Sequence, residues 1–190
     1  MGVTNSSKEI DVSSIDCDGI FKVTLSLAAT PDIVENPTDI VLILDRSGSM
    51  AGSPLASLKA GAKKFIDIID EATDGAQDNN IGSGSHIGIV SFATTASQDT
   101  QLITSVGDLK DAIDGLNASG NTNHGEAFDK AVQLFDPASS NNRVMIMFTD
   151  GRTTTGPEPS PIAAAAKADG IVIYCIGLVA NITKPGALMY

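Results

Sequence analysis

Apolar and polar positions change period several times along the chain, and the changes mark its elements. Phe21-Lys22-Val23-Thr24-Leu25-Ser26-Leu27 alternates strictly, as a strand with one buried face does. Pro31 to Thr38, which contains Pro31 and Pro37, reads as a linker. Ile40-Val41-Leu42-Ile43-Leu44 is then apolar without a break, the pattern of a central parallel strand covered on both sides. Leu55, Leu58, Ala62, Phe65, Ile66 and Ile69 recur at helical spacing after Ser53-Pro54, which puts a proline in the first turn. Thr73–Ser85 is a polar, glycine-rich loop, and Ile87–Phe92 is a second buried strand. Gln101–Val106 suits an edge strand, and Asp108–Leu116 a short helix with Leu109, Ala112, Ile113 and Leu116 on one face. Ala127, Phe128, Ala131, Val132 and Phe135 mark another helix, stopped before Pro137. Arg143–Phe148 is a strand, Pro161–Ala168 an alanine-rich helix and Ile171–Val179 a last strand.

Alternation of this kind predicts an α/β fold, a doubly wound, mostly parallel sheet with helices on both faces. Ligands of such open sheets bind outside the carboxyl ends of the strands, where strand order reverses. The residues at those ends carry the chemistry. Ile40–Leu44 runs into Asp45-Arg46-Ser47-Gly48-Ser49, a carboxylate and two hydroxyls with a small residue that lets the backbone turn. Val144–Phe148 runs into Thr149-Asp150-Gly151, and Gly120-Asn121-Thr122-Asn123-His124-Gly125 adds a third hydroxyl. Hard oxygens of this type suit Mg²⁺, Mn²⁺ or Ca²⁺ rather than zinc or copper.

Asp45-x-Ser47-x-Ser49, a distant Thr122 in a Gly/Asn loop and Asp150 opening an Asp-Gly turn resemble the von Willebrand factor A domain. The resemblance runs from about Pro37 to Val179, with all three pieces in the family's order. It implies a Rossmann-like sheet and a metal-ion-dependent adhesion site with Asp45, Ser47, Ser49, Thr122 and Asp150 as metal ligands. It further implies Mg²⁺ (or Mn²⁺ or Ca²⁺) as cofactor and a protein partner presenting an Asp or Glu carboxylate. Arg46, His124 and Arg152 would stand on the ligand rim, with His124 as an exposed loop residue. The expected organisation is a β-rich extension over 1–36, the A domain over 37–179 and a tail over 180–190. In similar bacterial surface proteins such a domain is flanked by β-rich stalk modules, which makes Val12–Leu27 a strand of a flanking unit or an added edge strand. The family pattern continues past Val179 with helix, strand and helix, whereas only Ala180–Tyr190 follow here. The expected sheet edge is therefore open, swapped or covered by Phe21–Leu27.

Composition narrows the partners. The 190 residues are 42% hydrophobic and 18% charged, enough for a well-buried core. At 4% aromatic content and with no Trp, that core is built mainly from Ile, Val, Leu and Ala. A formal net charge of −11 argues against nucleic acid and against anionic membranes, and favours cations. No secretory leader and no membrane-length apolar span are visible, so an extracellular or cell-surface location is implied by the resemblance alone. Cys17 and Cys175 read either as one exposed thiol and one strand-buried thiol, or as a bridge in an oxidising compartment. Two other functions stay open: a stalk or pilus module whose metal only stiffens loops, and a Mg²⁺-dependent phosphoryl-transfer enzyme. The second wants another Asp where Ser47 stands, and no Gly-x-Ser-x-Gly elbow or Gly-x-x-x-x-Gly-Lys loop occurs.

Overall fold

A computed structural model describes residues 2–10, 23–30 and 36–178, in two compact units, 1–35 and 36–190. In the first unit, strands β1 (Gly2–Ile10) and β2 (Val23–Thr30) pair antiparallel, with the register shifting between Val3 and Asn5. The alternating pattern anticipated β2. The mostly polar β1 carries no such signal. β2 has its partner in β1. Val12–Lys22 and residues 31–35 of the linker lie outside the described residues, and Thr38 opens the first strand of the second unit.

The second unit holds a five-stranded sheet in the order β5-β4-β3-β6-β7, from β3 (Thr38–Asp45), β4 (His86–Phe92), β5 (Ala96–Gln98), β6 (Asn142–Thr149) and β7 (Val172–Gly177). All neighbouring pairs are parallel except β4 with β5. The long central strand β3 is buried along almost all its length because its two faces feed two cores. Ile40, Leu42 and Leu44 pack under α1 (Ser53–Asp74) and α2 (Val106–Asp114). Val41 and Ile43 pack under α3 (His124–Val132) and α4 (Pro159–Ala168). Alternation of side chains across a strand is what turns an unbroken apolar run into this double burial. Among the described residues no helix is long and apolar enough to cross a membrane.

Two expectations change. Gln101–Val106 forms no continuous edge strand and pairs only through the isolated Ile87–Ile103 and Asn80–Ser105 bridges. The reason is Thr100, whose hydroxyl takes the Ile89 N–H at 2.9 Å and interrupts the ladder, so the edge falls to β5. Cys175 is exposed and free rather than buried, because no described strand lies beyond β7. The same position leaves Val172, Tyr174 and Ile176 about half exposed on one face of β7. The tail from Val179 onward, and any bridge to Cys17, fall outside the described residues.

Candidate metal centre

β3 and β6 are adjacent and parallel, with Leu44 opposite Phe148, so Asp45 and Thr149 end their strands at the same level. This is the carboxyl edge, beside the central strand from which the sheet grows in both directions. Asp45 is fully buried there. Its Oδ1 accepts the Ser47 N–H at 2.8 Å, and its Oδ2 accepts the Thr149 hydroxyl at 2.6 Å. Such charge-assisted bonds offset the burial of an ionised carboxylate.

After Asp45 the chain turns through Ser47 into a 3-10 turn at Gly48–Met50. The Ser47 and Ser49 hydroxyls lie 3.1 Å apart, and Ser49 donates to Asp150 Oδ1 at 2.9 Å. Asp45, Ser47, Ser49 and Asp150 thereby form one connected group of oxygens from two loops. Gly48 matters through close approach rather than an unusual dihedral angle. Its N–H donates to Gly120 O at 2.9 Å, and a Cβ there would stand 3.2 Å from the same oxygen. Gly120 itself has a φ of +71°, and a side chain there would collide with Thr94.

Thr122 enters from a third loop. That loop is tied down by Ser119 N–H to Arg46 O at 2.8 Å, Asn121 N–H to Thr94 Oγ1 at 3.0 Å and Thr122 N–H to Thr154 Oγ1 at 2.9 Å. Thr154 N–H returns a bond to Thr122 O at 2.8 Å, so the loop carrying Thr122 is fastened to the loop that follows Asp150. Asn123 caps α3 by accepting the Glu126 N–H at 3.1 Å and donates to Glu126 Oε2 at 3.0 Å, which sets where the helix and its preceding hydroxyl begin.

Of the three rim candidates, only Arg152 is exposed as expected. Arg46 is half-buried and donates from Nε to Ser91 Oγ at 3.1 Å. His124 is no rim residue. It is buried as the first residue of α3, its ring edge-on to Phe92 with centroids 5.1 Å apart. Its Nδ1 lies 2.8 Å from Thr153 Oγ1 and its Nε2 3.0 Å from Thr149 Oγ1. Burial pushes its pKa below the ordinary 6.5, against an opposing pull from the charge of Asp45. Thr149 was named at its strand end without a role, and Thr153 and Thr154 escaped the sequence reading. The only trace of the last two is the run Thr153-Thr154-Thr155.

The donor set consists of side-chain carboxylate and hydroxyl oxygens, and the one nearby imidazole is occupied by two threonines. No group of three or more His, Cys, Asp or Glu residues able to hold a metal occurs among the described residues. A hydroxyl-rich site of this kind fits a hard divalent ion.

The sequence profile of the von Willebrand factor type A domain matches residues 39–188. The chain belongs to that family. A domains are adhesion and protein-interaction modules that bind a divalent metal at the metal-ion-dependent adhesion site. This one is 26% identical over 148 residues to the mouse (Mus musculus) collagen alpha-1(VI) chain, covering 75% of this chain and 14% of that one. It is 29% identical over 154 residues to human (Homo sapiens) matrilin-3, covering 75% of this chain and 29% of the relative. Among solved structures, proximal thread matrix protein 1 of the mussel byssus, described with a zinc-occupied adhesion-site motif, superposes with a TM-score of 0.61 at 25% identity. That match covers 75% of this chain and 36% of the mussel protein. The chain thus spans well under half the length of each.

Proposed function

We propose that this A domain is a divalent-cation-dependent protein-binding module of the extracellular or cell-surface type. Asp45, Ser47, Ser49, Thr122 and Asp150 hold the cation, Mg²⁺ by preference, with Mn²⁺ or Ca²⁺ able to replace it. An Asp or Glu carboxylate of the partner protein completes the site. The observation that carries this reading is the connected set Asp45–Ser47–Ser49–Asp150 at the carboxyl edge of adjacent parallel strands. When bound, the ion supplies a concentrated positive charge that attracts a carboxylate.

The protein's own part is to hold the oxygens together before the ion arrives. Gly48 to Gly120 and Thr122 to Thr154 fasten three separate loops to one another through backbone bonds. With a net charge of −11, the rest of the molecule repels acidic partners that fail to reach the cation, which sharpens selection. The adhesion and protein-interaction character of the family agrees with this reading.

Calorimetric titration of Mg²⁺ into chelator-stripped protein tests the site, with Asp45→Ala as the control. Saturable one-site binding that the substitution removes supports the reading. Partner binding that persists in excess chelator would overturn it.

A further inference from the structure

Both oxygens of Asp45 are engaged by the protein itself, and the second engagement leads away from the proposed metal ligands. An ionised carboxylate only accepts, so the proton in the 2.6 Å contact between Asp45 Oδ2 and Thr149 Oγ1 belongs to the threonine. Thr149 has one hydroxyl proton. Its 3.0 Å contact with His124 Nε2 therefore needs the proton on the nitrogen. A neutral imidazole protonated at Nε2 has a bare Nδ1, which accepts from the Thr153 hydroxyl at 2.8 Å. Each donor and acceptor in the series Thr153, His124, Thr149, Asp45 is thus determined by the next.

We infer that His124 is a positioning residue of the metal centre, which as the Nε2–H tautomer directs the Thr149 hydroxyl at Asp45 and so sets how Asp45 presents its oxygens. The inference rests on the metal-binding reading above. Its structural logic is that one side chain joins the Thr122 loop to the loop around Asp150 and, through Thr149, to Asp45. His124 follows Thr122 by two positions, opens α3 behind the Asn123 cap, and touches Thr149 and Thr153 on either side of Asp150. Phe92, paired with Asp45 across β3 and β4, holds the ring from its edge. An aliphatic side chain could fill the same space, but it would leave the Thr149 hydroxyl free to turn away from Asp45. Outer groups that orient metal ligands in this way typically change metal affinity by about 10–100-fold when lost.

The experiment measures Mn²⁺ affinity of the full chain by calorimetry. His124→Leu and Thr149→Val are expected to weaken it by about tenfold or more. Thr149→Ser keeps the hydroxyl and His124→Gln keeps an N–H donor, and both are expected to restore most of the affinity. Because the two residues act in series, the double variant should lose no more than the worse single one. Nitrogen-15 spectra of the unaltered protein should show His124 protonated at Nε2, a signature that filling space does not demand. Unchanged affinity in both His124→Leu and Thr149→Val, additive losses, or an Nδ1–H tautomer would each overturn the inference while leaving the metal site standing. Failure of the unaltered chain to bind Mn²⁺ would remove the metal reading and this inference together. Should His124→Leu or Thr149→Val fail to fold, the tautomer and the two conservative variants still decide.

Discussion

Asp45→Asn changes one oxygen to nitrogen at constant shape and separates the two roles of this residue. The backbone N–H of Ser47 cannot rotate away, so the amide keeps its oxygen there and turns its NH₂ toward Thr149. Thr149 Oγ1 already faces His124 Nε2, so it now meets two side-chain donors while its own proton loses its acceptor. The substitution thus weakens one charge-assisted bond, worth about 1.5–3 kcal/mol, to a neutral one and breaks another. It also relieves the burial of an ionised group at a fully buried position, which offsets part of that loss. A net destabilisation of about 2 kcal/mol is expected without metal, a fall in Tm of about 4–8 °C for a domain of this size. The metal response should change more sharply. A ligand at a hundred times its Kd stabilises by about 2.7 kcal/mol, or about 5–11 °C, and the variant should lose nearly all of that. Thermal melts by circular dichroism, in chelator and in Mg²⁺, give both numbers. An undiminished Mg²⁺ shift in Asp45→Asn would refute the assignment of Asp45 as a ligand. An unchanged melt in chelator would refute the hydrogen-bond account.

Thr122→Ala should weaken Mg²⁺ binding at least about tenfold yet leave the metal-free melt nearly unchanged, because the loop is held by the Thr122 backbone rather than its hydroxyl. Calorimetry and melts on the same preparation check both halves. Gly48→Ala should cost about 1 kcal/mol and loosen the contact with Gly120, read as a lower Tm and faster exchange of the Gly48 amide. Metal-free stability should decline as the pH falls below about 6.5. His124 holds its proton less readily folded than unfolded, so below the unfolded pKa of 6.5 the unfolded state binds more protons. The decline ends at the lower folded pKa, and His124→Gln should remove this component from urea melts taken across that range.

The proposed ligands that follow an apolar run stand where the chain pattern put them, at strand ends. A covered strand can only deliver a side chain to chemistry where it ends, and Asp45 and Asp150 stand at or just past such ends. Ser47 and Ser49 were readable because they are local to Asp45, and Thr122 was placed by its order in the family pattern. The groups around them were not readable in this way. Thr149 meets Asp45 across 104 residues, and His124 meets Thr149 and Thr153 across 25 and 29. Periodicity has nothing to say about contacts of that kind. His124 followed a polar loop and so looked exposed. It is buried because Asn123 starts a helix one residue earlier and α3 packs that turn against Phe92. The edge of the sheet was misjudged for a similar reason, since a single hydroxyl, Thr100, competes with a backbone ladder that propensity favours.

The sequence by itself determined the α/β class, the strands and helices of the second unit apart from its edge, and the five oxygen-bearing side chains proposed as ligands. Local apolar periodicity and strand-end chemistry are properties of neighbours in the chain. Tertiary structure decided which hydroxyls meet which carboxylates, how Gly48 and Gly120 fasten the loops, and that His124 serves Asp45 from the inside. Those contacts exist only once β3 and β6 lie side by side and α3 closes over them. Around the buried Asp45, Thr122, Asn123 and His124, hydrogen bonding then becomes obligatory, because a buried polar group without a partner costs more than the fold can absorb.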